Sequence, residues 1–384
     1  MRKPTYLLFV DLSAAFDHVE RSWMFKSIKM RIPNETKRKL IELMEQLYAH
    51  TTAALAEAPE DKFHLNVGVR QGGPESPMLY NLYMDFVMRI FTERCKERDV
   101  KFLELKYRIP DIASSTGKTT AGTTIIDWCG YADDLLLVFD NRESLRKGIS
   151  TLDEVFHSYR LKINIAKTKT MILNQEPNDQ EYPKSISSLH GKPLENVETY
   201  RYLGSEINYK EPTTGPTELA LRVDVAECKF YSLARNLMNK KINLKTRIAM
   251  LDSMVRSRVT YSCQTWSITK TQLNRLQSLY MSFIRKMVNG GYKRKGEDLW
   301  SYLYTNDDLL KVSGASNLTS YVQRQQYDFA IRIIGKENKS IAKRLMFNDN
   351  NYHKQGPNAN LLNTVLKNER CTATKLYTLA KRVG

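Results

Sequence analysis

The chain has 384 residues, 42% of them hydrophobic, and its 59 Lys and Arg against 42 Asp and Glu give a formal net charge of +17 at pH 7. Such a chain can bury a core in two or three domains, and its charge favours a polyanionic partner such as nucleic acid. It contains no run of 18 apolar residues to span a bilayer and no secretory signal, and its five scattered cysteines argue against a disulfide framework or a zinc knuckle. We therefore expect an intracellular protein without membrane contact, in the nucleus or cytoplasm, with the mitochondrion as the alternative.

Aspartates stand at the ends of the first predicted strands. The stretch "TYLLFVDL" predicts a buried strand with Asp11 near its end, while "TTIIDWCGYA" and "LLLVF" predict a hairpin with Asp133 and Asp134 at its turn. A pair of aspartates at a turn is usually just a solvated turn. If the first strand neighbours the hairpin, however, three carboxylates converge and can hold two Mg²⁺ ions about 3.5–4 Å apart, which suits in-line nucleotidyl transfer.

The segments between and after these strands alternate in character. The stretch "SPMLYNLYMDFVMRIFTERC" predicts a helix, with Ser76 as its cap and Pro77 in its first turn. The stretch "IPDIASSTGKTTAGTT" predicts a polar loop, and "RYLGSEI" predicts a short strand ended by Gly204.

After Pro216 the apolar spacing changes to that of helices. One stripe runs from Leu219 to Leu237, a second from Leu244 to Val259, and "TQLNRLQSLYMSFIRKMV" predicts a third helix before the loop "NGGYKRKGED". Between Leu219 and Arg294 there are 15 basic residues and three acidic ones. The sequence thus predicts an α+β fold: a mixed portion to about residue 210, then a basic helical portion and a polar helical tail.

Five motifs resemble those of a known family. The stretches "FVDLSAAFDHV", "VRQGGPESPMLYNLYMD", "GYADDLLLVF", "LKINIAKTKTMIL" and "YRYLGSEI" occur in the order of the palm motifs of reverse transcriptases, most similar to those of non-LTR (LINE-type) retrotransposons. The resemblance implies a palm with an antiparallel sheet and packed helices over residues 1–209, a helical basic thumb over 210–290 and a C-terminal helical region of unknown role over 291–384. It also implies an RNA-directed DNA polymerase.

The resemblance assigns roles around the aspartates. It implies that Asp11, Asp133 and Asp134 bind two Mg²⁺ ions, with the backbone carbonyl of Leu12 as an extra ligand. For Asp134 the alternative is a carboxylate that supports the ligands without binding the metal. Lys167 matches the lysine proposed to protonate departing pyrophosphate, and its alternative role is that of a phosphate-facing or solvated lysine.

Further residues match nucleotide-binding and nucleic-acid-binding positions. Phe16 matches the steric gate that excludes a ribose 2′-hydroxyl, with an ordinary core aromatic as the alternative, and Arg70, Gln71 and Gly72 match the turn that contacts the incoming nucleotide. Tyr202, Leu203 and Gly204 resemble the primer grip. On the basic helices Arg222, Lys229 and Arg235 are expected along the duplex backbone, with a solvated basic face as the alternative.

Two features depart from the family, and they leave two hypotheses. Family members carry a fingers region before the first aspartate motif, whereas this sequence starts ten residues before Asp11, and Glu75 adds a negative charge near the nucleotide site. One hypothesis is a polymerase core that uses deoxynucleoside triphosphates on an RNA template, with a DNA/RNA duplex as product and fingers supplied by another chain. The other is a domesticated, catalytically inactive RNA-binding subunit of a ribonucleoprotein assembly, such as a ribosome or a maturase-like particle.

Overall fold

The computed structural model describes residues 3–32, 35–110, 119–175, 182–210, 216–288, 292–294, 300–302, 304–348 and 365. Two compact units are formed: Met1–Glu104 with Ile125–Thr199, and Leu105–Thr124 with Tyr200–Gly384. Within these ranges no helix has the length and apolar character needed to cross a membrane. The predicted α+β class is confirmed, whereas the predicted division at residues 209 and 290 remains a prediction.

The elements follow one another in mixed order. The first part contains β1 (Thr5–Val10), α1 (Arg21–Arg31), α2 (Glu35–Ala49), β2 (Thr52–Leu55), β3 (Ala58–His64), α3 (Ser76–Glu97), β4 (Leu103–Pro110), β5 (Thr119–Ile126), β6 (Trp128–Tyr131), β7 (Asp134–Phe139), α4 (Arg142–Ser158), β8 (Lys169–Leu173), β9 (Ser185–Leu189) and β10 (Lys192–Asn196). The second part contains β11 (Thr199–Tyr202), β12 (Ser205–Asn208), α5 (Pro216–Ser232), α6 (Ala234–Leu237), α7 (Leu244–Leu251), α8 (Ser257–Val259), α9 (Lys270–Val288), β13 (Tyr292–Arg294), β14 (Trp300–Tyr302), α10 (Asn306–Ser313), α11 (Leu318–Ile334) and α12 (Ile341–Met346).

The first unit is built on a six-stranded sheet in the order β6-β7-β1-β8-β10-β9. Strand β1 pairs antiparallel with β7 on one side and β8 on the other, with Val10 opposite Leu135 and Phe9 opposite Lys169. Five of the six β1 residues are buried, as expected of a central strand covered on both faces. The end of β1, where Asp11 follows, is therefore fixed by neighbours on both sides.

Helices α3 and α4 pack with this sheet to form the core of the first unit. Tyr83, Val87 and Phe91 of α3, and Leu152 and Phe156 of α4, are fully buried in one cluster with residues of β1 and β7. Burial of each large apolar side chain contributes roughly 1.5–3 kcal/mol. Because the same cluster includes residues on both sides of Asp11 and of the Asp133–Asp134 pair, the core fixes the backbone that carries these aspartates.

The turn that follows β1 is held by backbone hydrogen bonds from Gly68 and Val69. The amide of Gly68 donates to the carbonyl of Val19 at 2.8 Å, and the amide of Val69 donates to that of Phe16 at 2.9 Å. Gly68 has a φ of +80°, and a Cβ there would lie 3.0 Å from the carbonyl oxygen of Asp17. Glycine is required at this position both for its left-handed backbone and for the close approach.

The second unit is mainly helical and has its own core. Phe230 of α5 stacks on Phe283 of α9 with ring centroids 4.3 Å apart, and Trp266 is buried beside them. Between α7 and α8 the stretch Asp252–Arg256 is π-helical, and Tyr280 donates a hydrogen bond to Asp252 there. A further apolar cluster joins Tyr107 and Ile109 of β4 to α11 and α12.

Several local predictions need correction. The cap of α3 is Glu75, so Ser76 is its first helical residue and instead donates its hydroxyl to the carbonyl of Arg70 at 2.6 Å. The predicted polar loop includes the end of β4 and the start of β5, while residues 111–118 lie outside the described part. The stripe through Leu237 is divided between α5 and α6, and the short β13 and β14 interrupt the expected helical portion.

The Gly68 turn provides a matched pair of substitutions. We expect Gly68→Ala to destabilise the folded chain by about 2–4 kcal/mol, because alanine is strained at a left-handed φ and its Cβ would clash with the backbone of Asp17. Gly72 also has a left-handed φ, of +84°, but nothing lies within 4 Å of an added Cβ. Gly72→Ala should therefore cost only the conformational strain of about 1–2 kcal/mol. Urea unfolding of both variants measures the difference. Equal losses would show that the approach to Asp17 is not tight.

Candidate active site

Asp11 directly follows Val10, the last residue of the central strand β1. Because Val10 pairs with Leu135, the next position in the antiparallel register places Asp11 beside Asp134. Its carbonyl accepts from the amide of Asn164 at 2.9 Å, and its amide donates to the buried hydroxyl of Thr168 at 3.3 Å. The Oδ2 atom of Asp11 is buried without a hydrogen-bond partner.

The other two aspartates belong to the β6–β7 hairpin. Tyr131 pairs with Asp134, so the connection is the two residues Ala132 and Asp133, and Ala132 has a φ of +56°. A positive φ at the first turn residue is typical of the tight turns that connect antiparallel strands. Asp133 therefore lies in the turn, as predicted, while Asp134 is the first residue of β7, and both are exposed.

The aspartates repel one another. Although Asp134 is exposed, neighbouring protein atoms remove part of its hydration, and this desolvation, followed by the negative charges of Asp133 and Asp11, raises the pKa of Asp134 above its ordinary value. A raised carboxyl pKa means that the folded chain disfavours the ionised form of this side chain. A cation at this place relieves the repulsion.

A turn of the chain before β8 brings Lys167 to Asp11. The amides of Lys167 and Thr168 donate to the carbonyl of Asn164 at 3.2 and 2.9 Å, and the Lys167 ammonium lies 3.8 Å from Asp11 Oδ2. The lysine side chain is 69% exposed, so it is free to move. The same short turn thus fixes the backbone of Asp11 and presents the lysine to its carboxylate.

The carboxylate oxygens of Asp11, Asp133 and Asp134 suit a hard divalent cation, although the side chains are not arranged as a complete metal site. Among the described residues no group of three or more His, Cys, Asp or Glu side chains is spaced to hold a metal ion. The Asp11 Oδ2 atom has no hydrogen bond and only the ammonium of Lys167 at 3.8 Å, and the pKa of Asp134 is raised, so both carboxylates gain from further positive charge. Leu12 bridges Ile163, but the two hydrogen bonds of that bridge use Asp11 and Ser13, so the bridge leaves the Leu12 carbonyl available.

Phe16 is supported by a buried tyrosine of α3. Its ring stacks on that of Tyr80 with centroids 4.4 Å apart and planes 20° from parallel. Tyr80 is completely buried, and its hydroxyl has no hydrogen-bond partner. Burial, together with the charge of Asp133, raises the pKa of Tyr80. The tyrosine therefore remains neutral and packs against the Phe16 ring.

The Arg70-Gln71-Gly72 turn is placed in part differently from expectation. The Arg70 guanidinium donates to the carbonyl of Leu47 and to the hydroxyl of Thr51, and it lies 4.9 Å from the Tyr48 ring centroid. Its charge is thus used to hold the end of α2, whereas it was expected to contact a nucleotide. Gln71 is exposed and donates to Asp17 at 3.2 Å, and Gly72 is open to solvent at φ +84°.

The expected primer grip is a complete hairpin of the second unit. Strands β11 and β12 pair, and Leu203 and Gly204 form the turn between them with φ of +48° and +77°. Two positive φ values are typical of a type I′ turn. The Tyr261 hydroxyl donates to the Leu203 carbonyl at 2.7 Å, so the turn backbone is fixed from a separate part of the helical region.

The three basic residues expected along a duplex differ in placement. Arg222 is only 4% exposed, pairs with buried Glu218 at 2.7 Å and donates to the Gly204 carbonyl. It therefore supports the hairpin and does not face phosphate, which corrects the expectation from charge alone. Lys229 is half-buried on α5, and Arg235 is exposed on α6.

Several supporting residues were not found from the sequence. Thr168 and Asn164 anchor Asp11, Tyr80 carries Phe16, and Glu218 neutralises Arg222. Of these only Glu218 and Arg222 carried a signal, namely opposite charges four residues apart on a helix. The others depend on the tertiary fold.

Comparisons with known proteins agree with these motifs. The chain is 24% identical over 298 residues to the Pol polyprotein of the type-1 retrotransposable element R2 from Popillia japonica, covering 75% of this chain and 43% of that protein. It is 23% identical over 228 residues to the R2 polyprotein of Nasonia vitripennis, covering 58% of this chain and 20% of that protein. A putative transposon-derived protein of Caenorhabditis elegans is 27% identical over 158 residues, covering 41% of this chain and 55% of that protein. The chain thus spans from a fifth to about half of the length of these relatives.

Solved structures give a weaker likeness. Apo telomerase from Candida tropicalis covers 99% of this chain at a TM-score of 0.42 and 11% identity, with 48% of that chain covered. Telomerase from Candida albicans in complex with a telomeric RNA fragment covers 88% of this chain at a TM-score of 0.38 and 11% identity, again with 48% of that chain covered.

A family model identifies the family. The model described as reverse transcriptase (RNA-dependent DNA polymerase) matches residues 1–207, which is more than half of the chain and includes all five motifs. The chain therefore belongs to the reverse transcriptase family, and within it resembles the non-LTR retrotransposon members.

Proposed function

We propose that this chain is the catalytic core of an RNA-directed DNA polymerase that extends a DNA primer 3′-hydroxyl on an RNA template. The observation that carries the proposal is the β1–β7 register, which brings Asp11 beside Asp134 and the Asp133 turn. A reverse transcriptase needs converging carboxylates at this position, and the family match supplies the reaction class.

The side chains divide the chemistry between them. Asp11 and Asp133, with Asp134 beside them, would hold divalent cations, and two bound Mg²⁺ ions supply activation of the attacking hydroxyl and stabilisation of the leaving oxygen. We assign to Lys167 the donation of a proton to the leaving pyrophosphate, which its ammonium at 3.8 Å from Asp11 supports. Phe16, fixed by Tyr80, excludes a ribose 2′-hydroxyl from the sugar position.

The nucleic-acid partner follows from charge and family. With a net charge of +17, the chain favours a polyanion, and RNA with a DNA/RNA duplex is the partner we propose. The β11–β12 hairpin, held by Arg222 and Tyr261, is the element we assign to the primer end. Deoxynucleoside triphosphates are the proposed substrates.

Primer extension tests the proposal. The 384-residue chain is given an RNA template, a DNA primer, Mg²⁺ and deoxynucleotides, beside Asp133→Asn. We expect extension by the wild type and a loss of more than about 100-fold in Asp133→Asn, because metal-based charge stabilisation is worth several kcal/mol. Asp140→Asn, just beyond the opposite end of β7, is the matched control and should extend normally.

Two outcomes separate the hypotheses. Equal extension by Asp133→Asn and wild type would show that Asp133 is not needed for catalysis. Tight RNA binding by both without any extension would favour the RNA-binding subunit of a ribonucleoprotein.

The carboxylate repulsion predicts a change in stability with pH. Because the pKa of Asp134 is raised in the folded chain, its contribution favours folding at low pH and is lost as the pH rises through the raised pKa. We therefore expect Asp134→Asn to be more stable than wild type at pH 7, with the gap narrowing towards pH 4. Urea unfolding at both pH values, with Asp140→Asn as control, measures it. A variant less stable at pH 7 would contradict the repulsion.

The Phe16 stack predicts a change in sugar selection. We expect Phe16→Ala to increase use of ribonucleotides relative to deoxynucleotides by at least about tenfold in kcat/KM, which corresponds to about 1.4 kcal/mol. Tyr80→Phe keeps the stacked ring and should retain the selection. Unchanged sugar discrimination in Phe16→Ala would refute the gate.

A further inference from the structure

A second polar site lies at the far edge of the same sheet. The N-terminal turn of α4 faces the edge strand β9 across a cleft of about 400 Å³ lined by Arg142, Arg146, Ser185–Ser188 and Pro193. We call this the arginine cleft. Its volume falls within the range of about 300–1,000 Å³ that is usual for small-ligand sites.

A β-bulge creates the anchor of the cleft. Ser187 pairs with Leu194 and Ser185 pairs with Glu195, so Ile186 is an extra residue on β9 with no partner in β10. The extra residue of a bulge is left out of the ladder. The Ile186 carbonyl instead accepts from Nε of Arg142 at 3.2 Å and from Nε of Arg146 at 3.3 Å.

Both guanidinium groups keep their outer nitrogens for a ligand. Each arginine uses only Nε, and within the described part of the chain the four Nη atoms have no hydrogen bond or ion pair. Both side chains are exposed at the cleft. Two anchored guanidinium forks side by side match the geometry of a phosphate, to which arginine binds bidentately.

Two further observations indicate an anion. Ser187 is 92% buried, lines the cleft, and its hydroxyl has no hydrogen-bond partner, which normally costs free energy. Arg142 is also the first residue of the 17-residue helix α4, where the helix dipole disfavours cations and favours anions. A bound anion reverses both penalties.

We propose that the arginine cleft binds a phosphate group, and that this phosphate belongs to the backbone of a bound nucleic acid. Ile186 and Leu194 beside the cleft belong to the buried cluster that contains Val10 and Leu12, so the cleft lies on the helix-covered face of the sheet, whereas Asp11, between Val10 and Leu12, lies on the opposite face. Strand β9 is three strands from β1, a distance of about 14 Å at about 4.8 Å per strand. The cleft is therefore separate from the carboxylates, and the net charge of +17 favours a nucleic acid as the source of the phosphate.

Salt-dependent RNA binding tests the proposal without requiring catalysis. Fluorescence anisotropy of a labelled 12-nucleotide oligouridylate is measured from 50 to 200 mM KCl for wild type and for Arg142→Gln with Arg146→Gln. We expect binding about tenfold weaker at 50 mM KCl, and a slope of log affinity against log salt that falls by about 0.7 for each phosphate bound. Lys96→Gln with Lys147→Gln removes the same charge outside the cleft and should leave affinity and slope near wild type.

Two further variants distinguish a specific phosphate site from a general effect of positive charge. Arg142→Lys with Arg146→Lys keeps the charge but loses the forks, so we expect it to recover the salt slope and only part of the affinity. Ser187→Ala should weaken RNA binding while leaving the urea midpoint equal to or above wild type, since it removes a buried unpartnered hydroxyl. Full affinity in both variants would overturn the proposed geometry.

Inorganic phosphate distinguishes the source of the ligand. Calorimetric titration with phosphate alone should give weak heats that vanish in Arg142→Gln with Arg146→Gln. If Arg142→Gln with Arg146→Gln loses these heats but keeps its RNA affinity, the cleft binds free phosphate, and the proposal that the phosphate comes from nucleic acid is wrong. If the glutamine pair matches the Lys96 and Lys147 control in every titration, the cleft binds no phosphate.

Discussion

The candidate site depends on the pairing of β1 with β7. Because β1 is the centre of the six-stranded sheet and is buried along its length, its register cannot shift by one residue without moving apolar side chains to the wrong face. That register fixes Asp11 beside Asp134, and the two-residue turn then fixes Asp133. The core thus provides the free energy that holds like charges together.

Three arginines have an internal role. Arg70 holds the end of α2, Arg222 holds the β11–β12 turn with Glu218, and Arg247 donates to the carbonyls of Leu237 and Met287. Net charge therefore overstates the surface available to a polyanion. Arg142 and Arg146, which are exposed and have unused donors, are better candidates for phosphate contact than the buried Arg222 on α5.

The sequence predicted the parts of the site that are local. The apolar run of β1, the turn at Asp133 and the helix α3 carry their signals within a few residues, and all three are present. The sequence could not show that Tyr80 lies under Phe16, because those positions are 64 residues apart and meet only in the fold. The sequence also did not show that Arg222 is buried, because the same helical spacing is expected of a basic residue that faces solvent and of one that pairs with a buried glutamate. The bulge at Ile186 likewise depends on the pairing of β9 with β10.

The central claim is that the carboxylates after β1 and at the start of β7 form a site for divalent cations. The most direct measurement is the thermal unfolding midpoint of the chain at increasing Mg²⁺ concentration, for wild type, Asp11→Asn and Asp140→Asn. A cation that binds only the folded chain raises the midpoint with the logarithm of its concentration. The account predicts this rise for wild type and Asp140→Asn and its loss in Asp11→Asn, whereas an identical response of all three proteins would contradict it.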